Sequence, residues 1–124
     1  MTRLLAALAL VLTLGAAIFV WRARGAPMLK LETAYQAVLL DNGQVYYGKI
    51  ERIDSEYTVL SDVYYVQSQA EPQSKEVKNV LIRRGSEWHA PNRSLISTRH
   101  VVMIEPVTSN SKVADLIAAL SKNH

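Results

Sequence analysis

From Leu4 to Trp21 the chain runs without a charge, and Thr13 is the single polar side chain in the run. At about 1.5 Å per residue a helix of that length reaches roughly 27 Å, close to the ~30 Å hydrocarbon core of a bilayer. The run therefore predicts one transmembrane helix, with Trp21 at the interfacial position and Arg22 and Arg24 within reach of headgroups. A cleaved signal peptide is the competing expectation, since Gly15, Ala16 and Ala17 are small. Ile18 to Trp21 prolong the apolar run past them, however, and Pro27 stands directly behind Ala26. Residues 1–26 are assigned to an uncleaved anchor with its flanks, and residues 27–34 to a juxtamembrane linker.

After Gly25-Ala26-Pro27 the pattern changes to short β-type segments. Tyr35 to Leu40 and Gln44 to Ile53 are separated by Asp41-Asn42-Gly43, and Asn-Gly between two β-rich runs predicts a hairpin closed by a type I′ turn. Gly48 interrupts the second run where a strand would bend, as a small barrel requires. Tyr57 to Val66 is a third strand, Val77 to Ile82 a fourth, and Ser97 to Ile104 a fifth, ended by Glu105-Pro106. Between the third and fourth, Gln67 to Glu76 has one alanine and no larger apolar residue, a composition that reads as a mobile loop. Near the end, Val113, Leu116, Ile117 and Leu120 fall at i, i+3, i+4 and i+7 of a helix over Ser111 to Leu120, with Ser109, Asn110 or Ser111 as its cap. That face either packs on the barrel or docks a partner.

The fold class expected is thus mainly β: an N-terminal transmembrane helix, then a five-stranded small antiparallel barrel over residues 35–106 with a mobile loop at 67–76, then a C-terminal amphipathic helix and tail over 107–124.

Charge narrows the function classes. The formal charge is +3 and the pI about 9.3. Arg3, Arg22 and Arg24 supply three of the 14 Lys+Arg, so residues 27–124 hold 11 against 11 Asp+Glu. A neutral domain argues against nucleic acid as the ligand, although a basic pI usually argues for it. Within that domain Lys30 to Asp62 carries three basic and six acidic groups, whereas Arg83 to His100 carries four Arg and one Glu. Complementary halves favour head-to-tail association or simply neutralise each other as neighbours. Cysteine is absent, so disulfide logic does not choose a compartment.

Candidate chemistry is sparse. Glu87 and His89 flank Trp88 and face the same way from an extended segment, with His100 as a third ligand for a metal of the two-His-plus-carboxylate type; the alternative is a solvated loop carrying a packed Trp88. Ser86 and His89 stand close in sequence, yet no serine has a nucleophile setting and the glycines form no phosphate loop. No enzyme activity, cofactor, metal or small-molecule substrate is expected. Six tyrosines remain, at 35, 46, 47, 57, 64 and 65. Adjacent strand residues point to opposite faces, so one member of each pair Tyr46/Tyr47 and Tyr64/Tyr65 is expected outside, covering the sheet or contacting a partner. Tyr46, Tyr64, Trp88 and His89 are the partner-binding candidates.

Two resemblances add to these expectations. Leu40 to Ile50 (LDNGQVYYGKI), followed by Asp54 and Leu60-Ser61-Asp62, resembles the first signature of the Sm-like family, and Ile96 to Ile104 has the spacing of its second. The resemblance implies the small barrel. Where that family holds RNA with an Asn and an Arg-Gly pair, this chain has Thr58, Ser97 and Thr98, which lack the amide and the guanidinium. Tyr35 to Lys49 (YQAVLLDNGQVYYGK), the Gly85-x-Glu87-x-His89-x-Pro91 segment and Ser111 to Val113 are similar to small single-pass bacterial membrane proteins of unassigned function. That similarity implies a bacterial inner-membrane protein with its domain outside the cytoplasm, whereas the bare charge count, Arg3 against Arg22, Arg24 and Lys30, slightly favours the cytoplasmic side. The extracytoplasmic side is adopted. The expected function is a non-enzymatic, membrane-anchored module that binds an unidentified protein or itself; the alternative is an Sm-like RNA-binding protein at the cytoplasmic face.

Overall fold

In a computed structural model the described residues are 30–123. The predicted anchor and its flanks fall in residues 1–29, outside the described residues, as does His124. Among the described residues no helix is long and apolar enough to cross a membrane.

The first hairpin forms where Asn-Gly predicts it, between β1 (Gln36–Leu40) and β2 (Val45–Ile53). Its turn differs from expectation. Of the turn residues only Gly43 has positive φ, at 85°, and its N–H donates to the Leu40 carbonyl at 3.0 Å. This is a three-residue loop ending in a left-handed glycine, rather than a type I′ turn, because Asn42 stays at negative φ and accepts from the Gln44 N–H at 2.9 Å.

β3 (Tyr57–Ala70) is the spine of the sheet. β2 pairs along one edge; β4 (Val77–Arg83) and β5 (Arg93–Ser97) share the other, β4 on Tyr64–Ala70 and β5 on Tyr57–Ser61. β6 (Val101–Pro106) pairs with the outer edge of β1. All pairings are antiparallel, and the path runs β4-β3-β2-β1-β6 with β5 beside β3. The result is a mainly β fold, an open six-stranded antiparallel sheet with one C-terminal helix, α1 (Lys112–Ser121).

Two further expectations need correction. The predicted fifth strand over Ser97 to Ile104 is two strands, since Thr98–His100 wind into one 3-10 turn. Contacts distant in sequence impose that break: Thr98 N–H donates to the Glu56 carbonyl at 2.9 Å, and the Asp41 N–H donates to the His100 carbonyl at 2.9 Å. The predicted loop 67–76 also shrinks to 71–76, because Gln67–Ala70 continue β3 and pair in register with Val77–Val80. Polar side chains that bury nothing still have a backbone ladder available to them.

Side-chain parity along β3 sets up two cores. Between Tyr47/Tyr64 and Lys49/Ser61 the ladder takes two steps on β2 and three on β3, and the extra residue is Asp62 at φ +50°. That bulge lets Leu60 and Val63, three apart, enter one core with Val38; Tyr46, Ile50, Ile96, Val101 and Ile104 pack around them. Gly48 is required opposite the bulge, since a Cβ there would lie 3.1 Å from the Ser61 carbonyl oxygen. On the other face Tyr64, Leu81 and Ile117 form a second core, ringed by Tyr35, Tyr47, Val113 and Leu120. α1 thus packs three of its four apolar positions on the sheet and leaves Leu116 38% exposed. Its N-terminus is held by Ser111, whose Oγ accepts from the Ala114 N–H at 3.1 Å.

Candidate functional site

Two polar clusters lie beside the middle of β3, where the bulge at Asp62 turns the strand. The first centres on Asp62. Tyr35 Oη donates to its Oδ2 at 3.0 Å, Arg83 Nη2 donates to its Oδ1 at 2.8 Å, and Lys49 Nζ lies 3.6 Å from Oδ2. Lys49 also sits 5.3 Å from the centre of the Tyr35 ring, which stacks edge-on against Tyr64 at 6.1 Å. Burial works to raise the Asp62 carboxyl, but the Tyr35 hydroxyl, Arg83 and Lys49 outweigh it and hold the pKa below the usual range. Burial first, then the bond to a charged acceptor, push Tyr35 up to about 12. Every member of this cluster has its polar group committed to another, as a structural network does.

The second cluster is less balanced. Arg83, Arg84 and Arg93 line a groove of about 360 Å3 together with Asp62, Ser86 and Asn92. Arg84 Nε is buried without a hydrogen bond among the described residues; Glu87 Oε1 stands 3.5 Å away, at ion-pair distance but outside hydrogen-bonding geometry. The Arg84 guanidinium also lies 6.0 Å from the centre of the Tyr46 ring. Arg93 has no carboxylate within ion-pair distance among the described residues.

The turn between β4 and β5 leaves this groove and returns to it. Gly85, at φ +136°, opens it, and its N–H donates to Glu87 Oε2 at 2.8 Å. That backbone donor, followed by Glu87's own N–H and then Arg84 and His89, holds the Glu87 carboxyl below its ordinary value. Ala90 N–H donates to the Glu87 carbonyl at 2.8 Å, with Ala90 itself in the left-handed region at φ +44°. At the tip of this pinned turn Trp88 is fully exposed, with His89 exposed beside it.

Of the four partner-binding candidates, Trp88 and His89 lie on this turn. Tyr46 is half-buried against the first core, its ring edge-on to Tyr65 at 6.5 Å. Tyr64 is 1% exposed inside the second core and is no contact surface, which corrects the expectation placed on it. None of Tyr46, Tyr47, Tyr64 and Tyr65 is exposed, because α1 and Leu81 cover the face that strand parity alone would leave to solvent. The His100 imidazole is engaged elsewhere, Nδ1 lying 2.8 Å from Asp41 Oδ2, while Glu87 holds Gly85. Among the described residues no three His, Asp or Glu are placed to hold a metal.

The arginine excess between Arg83 and His100 is visible in the sequence, whereas the lining of one groove by Arg83, Arg84 and Arg93 is not. The sequence signal available was Arg84-Gly85, a basic residue before a glycine that can fold the chain back. No model of a known protein family matches the chain, and no curated protein matches it.

Proposed function

We propose that this chain is a non-enzymatic interaction module, anchored by residues 1–26 as a single span in a bacterial inner membrane with its domain outside the cytoplasm, that binds protein strands, another copy of itself included. The fold under this proposal is a small barrel of Sm-like or SH3-like type. Its support is that Val38, Tyr46, Leu60, Ile96 and Ile104, from β1, β2, β3, β5 and β6, surround one core. The short 3-10 turn joins the strand beside β3 to the strand beside β1.

The observation that carries the function is the pair of unpaired strand edges at the two ends of the sheet path. Among the described residues β4 and β6 each pair on one side only, and each presents apolar side chains, Val77 and Val80 on one, Val102 and Met103 on the other. Exposed edges of this kind accept a further strand through main-chain hydrogen bonds, with alternate side chains giving selectivity. A contact of β4 with the β6 of another copy is head-to-tail.

The test is sedimentation and crosslinking of the full chain in a nonionic detergent. Wild type is expected to associate, and Val102→Lys or Val77→Lys, both on exposed positions, to release monomers with an unchanged circular dichroism spectrum. A wild-type chain that stays monomeric across the accessible concentration range sinks self-association. The RNA-binding alternative has less support. Thr58, at the position where Sm-like proteins carry the RNA-reading Asn, is fully buried, and its hydroxyl lies 3.0 Å from that of Thr98. It predicts salt-sensitive retention of single-stranded RNA, which the same preparation checks.

A further inference from the structure

We propose that the arginine groove and the Trp88 turn together dock the domain onto an anionic lipid surface, with a headgroup phosphate seated among Arg84, Arg93 and Arg83 and the Trp88 ring at the interface. This rests on the anchored reading above and names a second partner for the domain. Three arginines line the groove with one acidic residue, Asp62, which is already bound by Arg83, Tyr35 and Lys49. Arg93 is left without an anion of its own among the described residues, and the buried Nε of Arg84 makes no hydrogen bond there, its one carboxylate neighbour, Glu87, standing 3.5 Å away. A planar guanidinium fork suits phosphate oxygens, and its weak hydration suits a headgroup layer.

Trp88 supplies an independent observation. A lone, fully exposed indole is costly to hold in water, and tryptophan settles at the headgroup level, where its ring is apolar and its N–H stays wet. The turn is pinned by the Glu87 to Gly85 bond and by the Ala90 to Glu87 bond, so Trp88 is presented on a fixed support. Ser86 and Pro91, on either side of that tip, both line the groove, so the turn that carries Trp88 begins and ends at it. Residues 22–34 reach at most about 45 Å when fully extended, so a domain anchored at Trp21 meets membrane at high local concentration. A lipid surface is favoured over a protein partner on that ground, and a weak site suffices.

The experiment uses the full chain carrying Trp21→Phe, so that Trp88 is its one tryptophan, reconstituted into phosphatidylcholine bilayers with and without phosphatidylglycerol. In the anionic bilayers Trp88 emission is expected to move to shorter wavelength and to be quenched by brominated lipid more than by aqueous iodide; in neutral bilayers the reverse is expected. Raising the salt, which needs no variant, should return the anionic sample to the neutral spectrum, and Arg84→Ala with Arg93→Ala should do the same. Identical, iodide-quenched emission in both compositions overturns the proposal. A shift produced in neutral bilayers by inorganic phosphate alone overturns the lipid assignment in favour of a free phosphate. Flotation of the same samples separates the two readings. Co-flotation with anionic but not neutral vesicles keeps the groove and removes the anchor, and flotation with neither overturns both.

Discussion

β3 is one strand with two fates. From Thr58 to Tyr64 it runs between two cores, with Thr58, Val59, Leu60, Val63 and Tyr64 all buried. From Val66 to Ala70 it pairs only with β4, and every residue on it is exposed. Past the Asp62 bulge the backbone ladder with β4 runs from Tyr64 to Ala70 without a break in register, well beyond the last buried side chain. Hydrogen bonding therefore sets how long the strand is, and burial sets how firmly it is held; the first half positions Asp62 and the groove, while the second projects as a polar ribbon.

The comparison breaks most visibly if the buried half is emptied. Leu60→Ala removes a side chain of 0% exposure from the middle of the first core, and such truncations cost about 2–5 kcal/mol. The expected outcome is a large fall in the unfolding midpoint of the full chain in detergent, followed by near-ultraviolet circular dichroism. Gly48→Ala comes next. Its new Cβ would meet the Ser61 carbonyl at 3.1 Å and a methyl of Val63 at 3.4 Å, and crowding of this kind costs about 1–3 kcal/mol. If Gly48→Ala leaves the midpoint unchanged, β2 and β3 are not held at their close approach.

Asp62 sharpens the comparison from the polar side. Asp62→Asn removes the charge that Arg83 and Lys49 share, at a cost of roughly 1–2 kcal/mol, between an exposed pair and a buried charged hydrogen bond. The sign with pH follows from linkage: a carboxyl lowered in the folded state adds stability above its unfolded value and loses it as pH falls. Wild type is expected to lose stability below about pH 4, and the variant to lose less over the same window. Tyr35 works at the other end, since its raised value favours the neutral hydroxyl and its contribution declines between about pH 10 and 12. A variant whose acid profile matches wild type would show that Asp62 is not the group that matters.

Much of this arrangement is legible in the residues themselves where side-chain chemistry is local. Asn42-Gly43 marks the first hairpin, Ser111 caps α1, and Gly48 marks the bend, each through a requirement met within a few residues. What escapes is imposed from a distance. Thr98 to His100 looks like strand because Thr98, Val101 and Val102 are β-branched, yet Thr58, Glu56 and Asp41 bend it into a 3-10 turn. Gln67–Ala70 looks like loop because composition speaks of burial and not of ladders. The tyrosine pairs do point to opposite faces, but whether a face is wet depends on where α1 lands, so Tyr64 was legible as a surface residue and is core. Within the site, Trp88 and His89 are readable and the meeting of Arg84 with Arg93 is not, since it depends on a turn closed by left-handed Gly85 and Ala90.

The smallest expected effect lies at the exposed end. Lys78 Nζ sits 2.6 Å from Glu71 Oε1 across the mouth of the β3-β4 loop, with side chains 60% and 44% exposed. Water screens such a pair, and the two long side chains lose rotamer freedom to hold it, so Lys78→Ala should move the unfolding midpoint by about 0–1 kcal/mol. Even the Ser68 to Asn79 bond at 2.9 Å, on the same ribbon, competes with water at both groups. Hydrogen exchange gives the finer readout. Amides of Gln67–Ala70 are expected to exchange much faster than those of Val59 and Leu60 in wild type, and Lys78→Ala should speed the first set and leave the second unchanged. Equal slowing of both sets would mean that the ribbon and the cores open as one unit, and that pairing, rather than burial, decides the stability of β3.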